Sequence, residues 1–313
     1  MEWTRIGLRR QGGLTKERRV ALGRSARRTL GLAALALAAV SLAAPARADI
    51  TLDTGHGPVN VRVPADYDGS QALPLVMLLH PLGTSGELTE TYFHGLTSLA
   101  ESQDFFLMAP DAPESWLGLR YWHVMPWETE DSIYLKTLLD AAVSQLNVAP
   151  GGIAVIGHSM GAVMGYRLAS DYPGTVSAVV SLSGGMVNPL VGFAPQAPVH
   201  VLEIHGTADE IVPYEGNWFT QGARASVMQW VGAAQCGELE ELVPEPMDMD
   251  FLLFGDETDV SRWSSGCNPN GSAELWTMRG AGHVPFPTAD MSIEIVRWLQ
   301  SRWNAPKGRR SFR

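Results

Sequence analysis

The sequence predicts an α/β protein: a mostly parallel sheet with helices on both faces. Three observations carry that expectation. From residue 49 onward, short aliphatic runs alternate with amphipathic stretches, as strand–helix–strand units do. Several runs, LPLVMLLH at 73–80 among them, are apolar throughout, the pattern of strands covered on both faces. A third run, GIAVIG at 152–157, passes through Gly157-His158-Ser159-Met160-Gly161 into a segment with helical spacing.

The elements follow in order. VNVRVP (59–64) and LPLVMLLH (73–80) read as strands, ELTETYFHGLTSLAESQ (87–103) as a helix, and FFLMAP (105–110) as a further strand. From Asp131 to Leu146, the residues Ile133, Leu135, Leu138, Leu139, Ala142 and Val143 form one apolar helical face. GIAVIG (152–157), VSAVVSLS (176–183), HVLEIHG (200–206) and AELWTMRG (273–280) complete the strands. Helices are expected from Ser159 to Ala169, from Gly222 to Ala234 and from Ala289 to Trp303. The least regular region, 236–271, is acidic and bounded by Cys236 and Cys267, and reads as a surface excursion.

Residues 1–48 differ from the rest. They hold ten of the 23 Lys/Arg and two of the 33 Asp/Glu, then the uncharged run LGLAALALAAVSLAA from Leu30 to Ala44. Pro45-Ala46-Arg47-Ala48 follows, with small residues where a signal peptidase reads. Basic lead, short apolar run and Ala-x-Ala end together make a secretory signal peptide, cleaved near Ala48. The fifteen apolar residues fall short of the roughly 20 that a membrane span requires. Two domains are therefore expected, a signal peptide at 1–48 and a catalytic domain at 49–313, secreted or periplasmic after cleavage. Residues 49–313 retain 13 basic and 31 acidic residues, a formal net charge of −18. Such an acidic surface excludes nucleic acid and anionic lipid as natural partners. Two cysteines in an exported chain favour a Cys236–Cys267 disulfide over a metal site.

The chemistry is written around Ser159. In a strand, tight turn and helix, the turn residue takes a strained conformation and its neighbours must be small. G-x-S-x-G meets both needs and presents the serine hydroxyl at the sheet's C-terminal edge. A serine hydroxyl is a weak nucleophile without a base, and the base needs an acid to orient it. Downstream there are three histidines, His200, His205 and His283. His200 opens a strand; His205 ends one; His283 sits in GAGH, between the last strand and the last helix, where a base belongs. His283 is the expected base, with His205 second. Asp209, in the loop after HVLEIHG, is the expected acid. The amides of Met160, at the helix start, and of Leu82, after the donorless Pro81, are the expected oxyanion donors. His80 is expected to brace the Leu82 loop. Trp116, Tyr121, Trp122 and Trp127 are candidates for an aromatic substrate cleft, against an ordinary core role.

These residues resemble the α/β-hydrolase superfamily, and within it the secreted polyhydroxybutyrate depolymerase and feruloyl esterase-like group. LLHPLGTSG, GHSMGAVMGYRLA, EIHGTADEIVPYEG and GAGHVPFP carry the likeness, with DSIYL at 131–135 and TDVSRWSSGC ahead of Cys267. The chain departs from that group in its His80-Pro81 and in Met160, where the group has His-Gly and Asn. The resemblance implies ester hydrolysis through an acyl-enzyme, with no metal or organic cofactor, on a small or polymeric ester. An acyltransferase or peptidase on the same scaffold, or a secreted binding protein that has lost turnover, are the alternatives. The fifteen or so residues between the strands ending near Ser183 and starting near Val199 leave no room for a helical cap, about ten or more residues per helix being usual. An uncapped, open site follows.

Overall fold

The computed structural model describes residues 49–188, 190, 192–237 and 239–303. The expected signal peptide at 1–48 and the basic tail at 307–313 lie outside the described residues. The described residues lie in one compact unit. Among the described residues, no helix is long and apolar enough to cross a membrane.

The chain begins with β1 (Ile50–Asp53), β2 (Pro58–Arg62) and β3 (Leu73–Leu79). Where one helix was predicted over 87–103, two short ones form, α1 (Gly86–Tyr92) and α2 (Leu96–Ser102). Gly95 between them takes a φ of 81°, a left-handed conformation that ends one helix and starts another. Ser85 caps α1, its hydroxyl accepting the Leu88 amide at 3.2 Å. Then come β4 (Phe106–Met108), α3 (Glu130–Gln145), β5 (Val148–His158), α4 (Met160–Asp171), β6 (Ala178–Leu182), β7 (His200–Gly206) and α5 (Ala223–Ala233). The chain ends in β8 (Glu241–Leu242), β9 (Thr258–Trp263), β10 (Ser272–Met278) and α6 (Ala289–Trp303).

All ten strands join one sheet, in the order β1-β2-β4-β3-β5-β6-β7-β10-β9-β8. From β4 to β10 neighbours run parallel, and antiparallel strands finish both margins. The alternation of a strand decides which layer each side chain joins. Leu75, Met77 and Leu79 face Leu135, Leu138 and Leu139 of α3 and Met164 of α4 in one core cluster. Val76 and Leu78, on the opposite face, join Leu96 of α2 and Ile295 and Leu299 of α6. Strands coated on both faces are apolar at every position, which is why LPLVMLLH reads as it does.

The excursion at 236–271 is more ordered than its sequence suggested. It contributes β8 and β9, and Trp263 packs with Val227 and Leu275 in a third apolar cluster. Cys236 and Cys267 are joined in a disulfide. The long segment between β4 and α3 is pinned from beneath by two buried ionic side chains. Asp131 accepts the His123 amide at 2.7 Å. Arg167 donates to the His123 carbonyl at 3.0 Å and pairs with Asp171 at 3.0 Å. Between β6 and β7 no helix lies among the described residues, so the sheet's C-terminal edge carries no cap there.

Candidate active site

The site is assembled where four parallel strands end. β5 delivers Ser159, β7 leads to Asp209, β10 leads to His283, and β3 leads to the loop holding Leu82. Open α/β sheets bind their ligands at this carboxyl edge.

The turn at Ser159 is explained by contacts, not by preference. Ser159 has φ 54° and ψ −118°, a conformation that costs a non-glycine residue about 1–3 kcal/mol. A Cβ on Gly157 would lie 2.4 Å from the Gly161 carbonyl, and a Cβ on Gly161 would lie 2.3 Å from the Leu79 carbonyl. Both positions therefore hold backbone against backbone. The second contact also seats the start of α4, and with it Met160, against the end of β3. Met160 therefore lies beside the strand end that leads into the Leu82 loop.

His283 lies between Ser159 and Asp209. Its Nε2 is 2.9 Å from Ser159 Oγ and its Nδ1 is 2.8 Å from Asp209 Oδ2. A carboxylate only accepts, so Nδ1 carries the proton and Nε2 presents its lone pair to the serine hydroxyl. Asp209 is fixed in turn by the Ile211 and Val212 amides, which donate to Oδ1 at 2.9 and 2.8 Å. Burial alone would raise its pKa, but the His205, His283 and Val212 bonds override that and hold it well below the usual carboxylate range. The Asp209 and His283 loops are joined to each other: Ala208 donates to the Ala281 carbonyl at 3.0 Å, and Gly280 to Thr207 Oγ1 at 2.9 Å.

The His283 loop has two further braces that sequence reasoning passed over. His158 Nε2 donates to the His283 carbonyl at 3.0 Å, and Tyr92 Oη to the Pro285 carbonyl at 2.8 Å. The two rings stack, centroids 5.2 Å apart and 7° from parallel. Burial lowers the His158 value to about 4, so this ring is neutral. Its place inside G-x-S-x-G was the available signal.

His80 is buried and braces its loop as expected: Nδ1 meets the Pro81 carbonyl at 2.8 Å and Nε2 accepts the Ala112 amide at 2.9 Å. The same bonds overturn one cleft candidate. Trp122 is 1% exposed, and its Nε1 donates to the His80 carbonyl at 2.9 Å. It is a core side chain beneath the loop, not a cleft wall. Tyr121 is half-buried beside His123, whereas Trp116 and Trp127 are 92% and 68% exposed. His200 stays at the far end of β7, bonded to Ser272 Oγ at 2.9 Å. His205, the second candidate base, lies behind Asp209, its Nε2 3.3 Å from Oδ2.

A parallel sheet finished by antiparallel margins, with a serine turned out between strand and helix, is the fold of the α/β hydrolases. Residues 66–235 match the Phospholipase/Carboxylesterase family, and the chain belongs to it. Among curated proteins, the chain is 28% identical over 199 residues to a protein named probable feruloyl esterase C from Aspergillus terreus, spanning 60% of this chain and 70% of that one. It is 29% identical over 145 residues to NocK of Nocardia uniformis subsp. tsuyamanensis, spanning 46% of this chain and only 42% of that protein. Among solved structures, the acetyl xylan esterase of Aspergillus awamori superposes with a TM-score of 0.58 at 16% identity, covering 81% of this chain and 99% of that one. The Bacillus cereus carboxylesterase superposes with a TM-score of 0.51 at 16% identity, covering 78% and 93%. These two likenesses concern the fold.

Proposed function

We propose that the protein is an exported serine esterase that works through an acyl-enzyme. Ser159 is the nucleophile, His283 the base, Asp209 the acid that orients it, and the amides of Met160 and Leu82 the oxyanion donors. The observation that carries this reading is the unbroken series of bonds from Ser159 Oγ through His283 to Asp209 at the carboxyl edge of the sheet.

In the first half-reaction, His283 Nε2 takes the Ser159 proton as Oγ adds to the ester carbonyl. The oxyanion is met by the Met160 and Leu82 amides. When the tetrahedral species collapses, the same proton passes to the departing alcohol. Water then repeats the sequence on the acyl-enzyme, which releases the acid and returns the proton to Ser159. Throughout, Asp209 stays ionised and stabilises the imidazolium.

The β6–β7 connection, which holds no helix among its described residues, suits a bulky ester, and the relative named as a feruloyl esterase favours feruloyl and other aryl esters over hydroxyalkanoates. Export rests on the signal-peptide pattern at 1–48 and accords with the Cys236–Cys267 disulfide.

A fluorophosphonate probe should label Ser159, and Ser159→Ala should prevent labelling and lower kcat on the order of 10⁶-fold. A panel of p-nitrophenyl acetate, longer p-nitrophenyl esters, methyl ferulate and hydroxybutyrate oligomers should show turnover of the esters. Amide cleavage with every ester left intact would remove the esterase assignment.

A further inference from the structure

The series of bonds does not stop at Asp209. We propose that His205 is a positioning residue, a second imidazole held as a cation between Glu203 and Asp209, which grips the acid from behind and opposes a second positive charge on His283. The proposal rests on the Ser159–His283–Asp209 reading.

The geometry is as follows. Tyr166 Oη donates to Glu203 Oε2 at 2.6 Å, and Glu203 Oε1 is 2.9 Å from His205 Nδ1. His205 Nε2 is 2.8 Å from the Val212 carbonyl and 3.3 Å from Asp209 Oδ2. The same Oδ2 is 2.8 Å from His283 Nδ1. Asp209 is therefore shared between two imidazoles, one reaching the serine and one turned away from it.

Both nitrogens of His205 face acceptors. A backbone carbonyl only accepts, so Nε2 must carry a proton; the Glu203 carboxylate requires another on Nδ1. Glu203 and His205 are completely buried, where an unbalanced charge is costly and a bonded pair is tolerated. Burial alone would depress His205, yet the Asp209 and Glu203 bonds raise it to about 10. Around them, Tyr166 reaches Glu203 from α4, the Tyr214 ring stands edge-on to His205 at 5.8 Å with its hydroxyl bonded to Thr277, and the His158 ring faces His283 with centroids 5.5 Å apart.

Two consequences follow. Asp209 cannot rotate, because Oδ1 is held by two amides and Oδ2 by two rings. In addition, a fixed positive charge behind the carboxylate opposes the placing of a second one on His283.

Two measurements test this. In the intact ¹⁵N-histidine-labelled protein, His205 should give two protonated ring nitrogens at neutral pH and keep both well above it. A singly protonated His205 at neutral pH would overturn the proposal without any variant, and whether or not the fluorophosphonate probe labels Ser159. Glu203→Gln and His205→Gln should lower kcat on p-nitrophenyl acetate about tenfold with KM changed much less. His205→Gln, which removes the cation, should also move the acidic limb of the kcat/KM profile upward by about half a pH unit or more. A folded His205→Gln with lower activity but an unmoved acidic limb would reduce His205 to a structural side chain and overturn the proposal. Failure of the wild-type protein to label at Ser159 would instead refute the esterase reading.

Discussion

Ser159 is held in a conformation that its own side chain disfavours, and the cost is met by contacts on every side of it: two glycines, the end of β3 and the first turn of α4. The histidines around it have been sorted by burial and partners. His158 is neutral and donates one bond; His205 is bonded at both nitrogens to acceptors. Their linkage to stability has opposite sign. His205, raised to about 10 from an ordinary value near 6.5, stabilises the fold fully below about pH 6.5, and this contribution is lost as pH rises toward 10. His158, lowered to about 4, contributes above about pH 6.5 and is lost as pH falls through its folded value. Urea midpoints should therefore decline on both sides of neutrality. In His205→Gln the alkaline decline should flatten while the acidic one persists; an unchanged alkaline decline would show that His205 is not the group responsible.

Among the elements, the strand–turn–helix around Ser159 is the least forgiving. Gly157→Ala or Gly161→Ala would drive a methyl into backbone that cannot yield, and each is expected to lower stability by about 3 kcal/mol or prevent folding, read from urea unfolding. Gly282→Ala, where nothing lies within 4 Å of the added carbon, should cost far less. This turn was legible in the sequence because its physical demands fall on residues close together: strand, glycine, serine, glycine, helix. The central strands were legible for a similar reason, since burial on both faces leaves an unbroken apolar run. What could not be read depended on distant partners. β9 alternates weakly, and its pairing with β10 and β8 and the burial of Trp263 make it a strand. Trp122 has the same composition cue as Trp116, and only the His80 carbonyl beneath it decides that one is core and the other exposed. His205 was visible as a histidine at a strand end, but its place behind Asp209 depends on Glu203, two residues earlier on the same face of β7.

In the folded unit as a whole, stability and chemistry are placed at opposite ends of the sheet. Ser159, Asp209 and His283 follow the carboxyl ends of parallel strands, whereas Cys267 lies in the connection that enters β10 at its other end. The bridge closes a sequence separation of 31 residues and is expected to contribute about 3.7 kcal/mol by the chain-entropy estimate. Reduction under non-denaturing conditions should lower Tm while leaving kcat unchanged below the transition; a parallel loss of kcat would mean that the excursion supports the site directly. The margins of the sheet carry a separate implication. Each is closed by an antiparallel strand of only four residues on one side and two on the other. Neither offers a long row of unpaired amides and carbonyls, so a neighbouring chain finds little on which to extend the sheet, and the apolar parallel strands within are guarded against fibril-like association at high concentration.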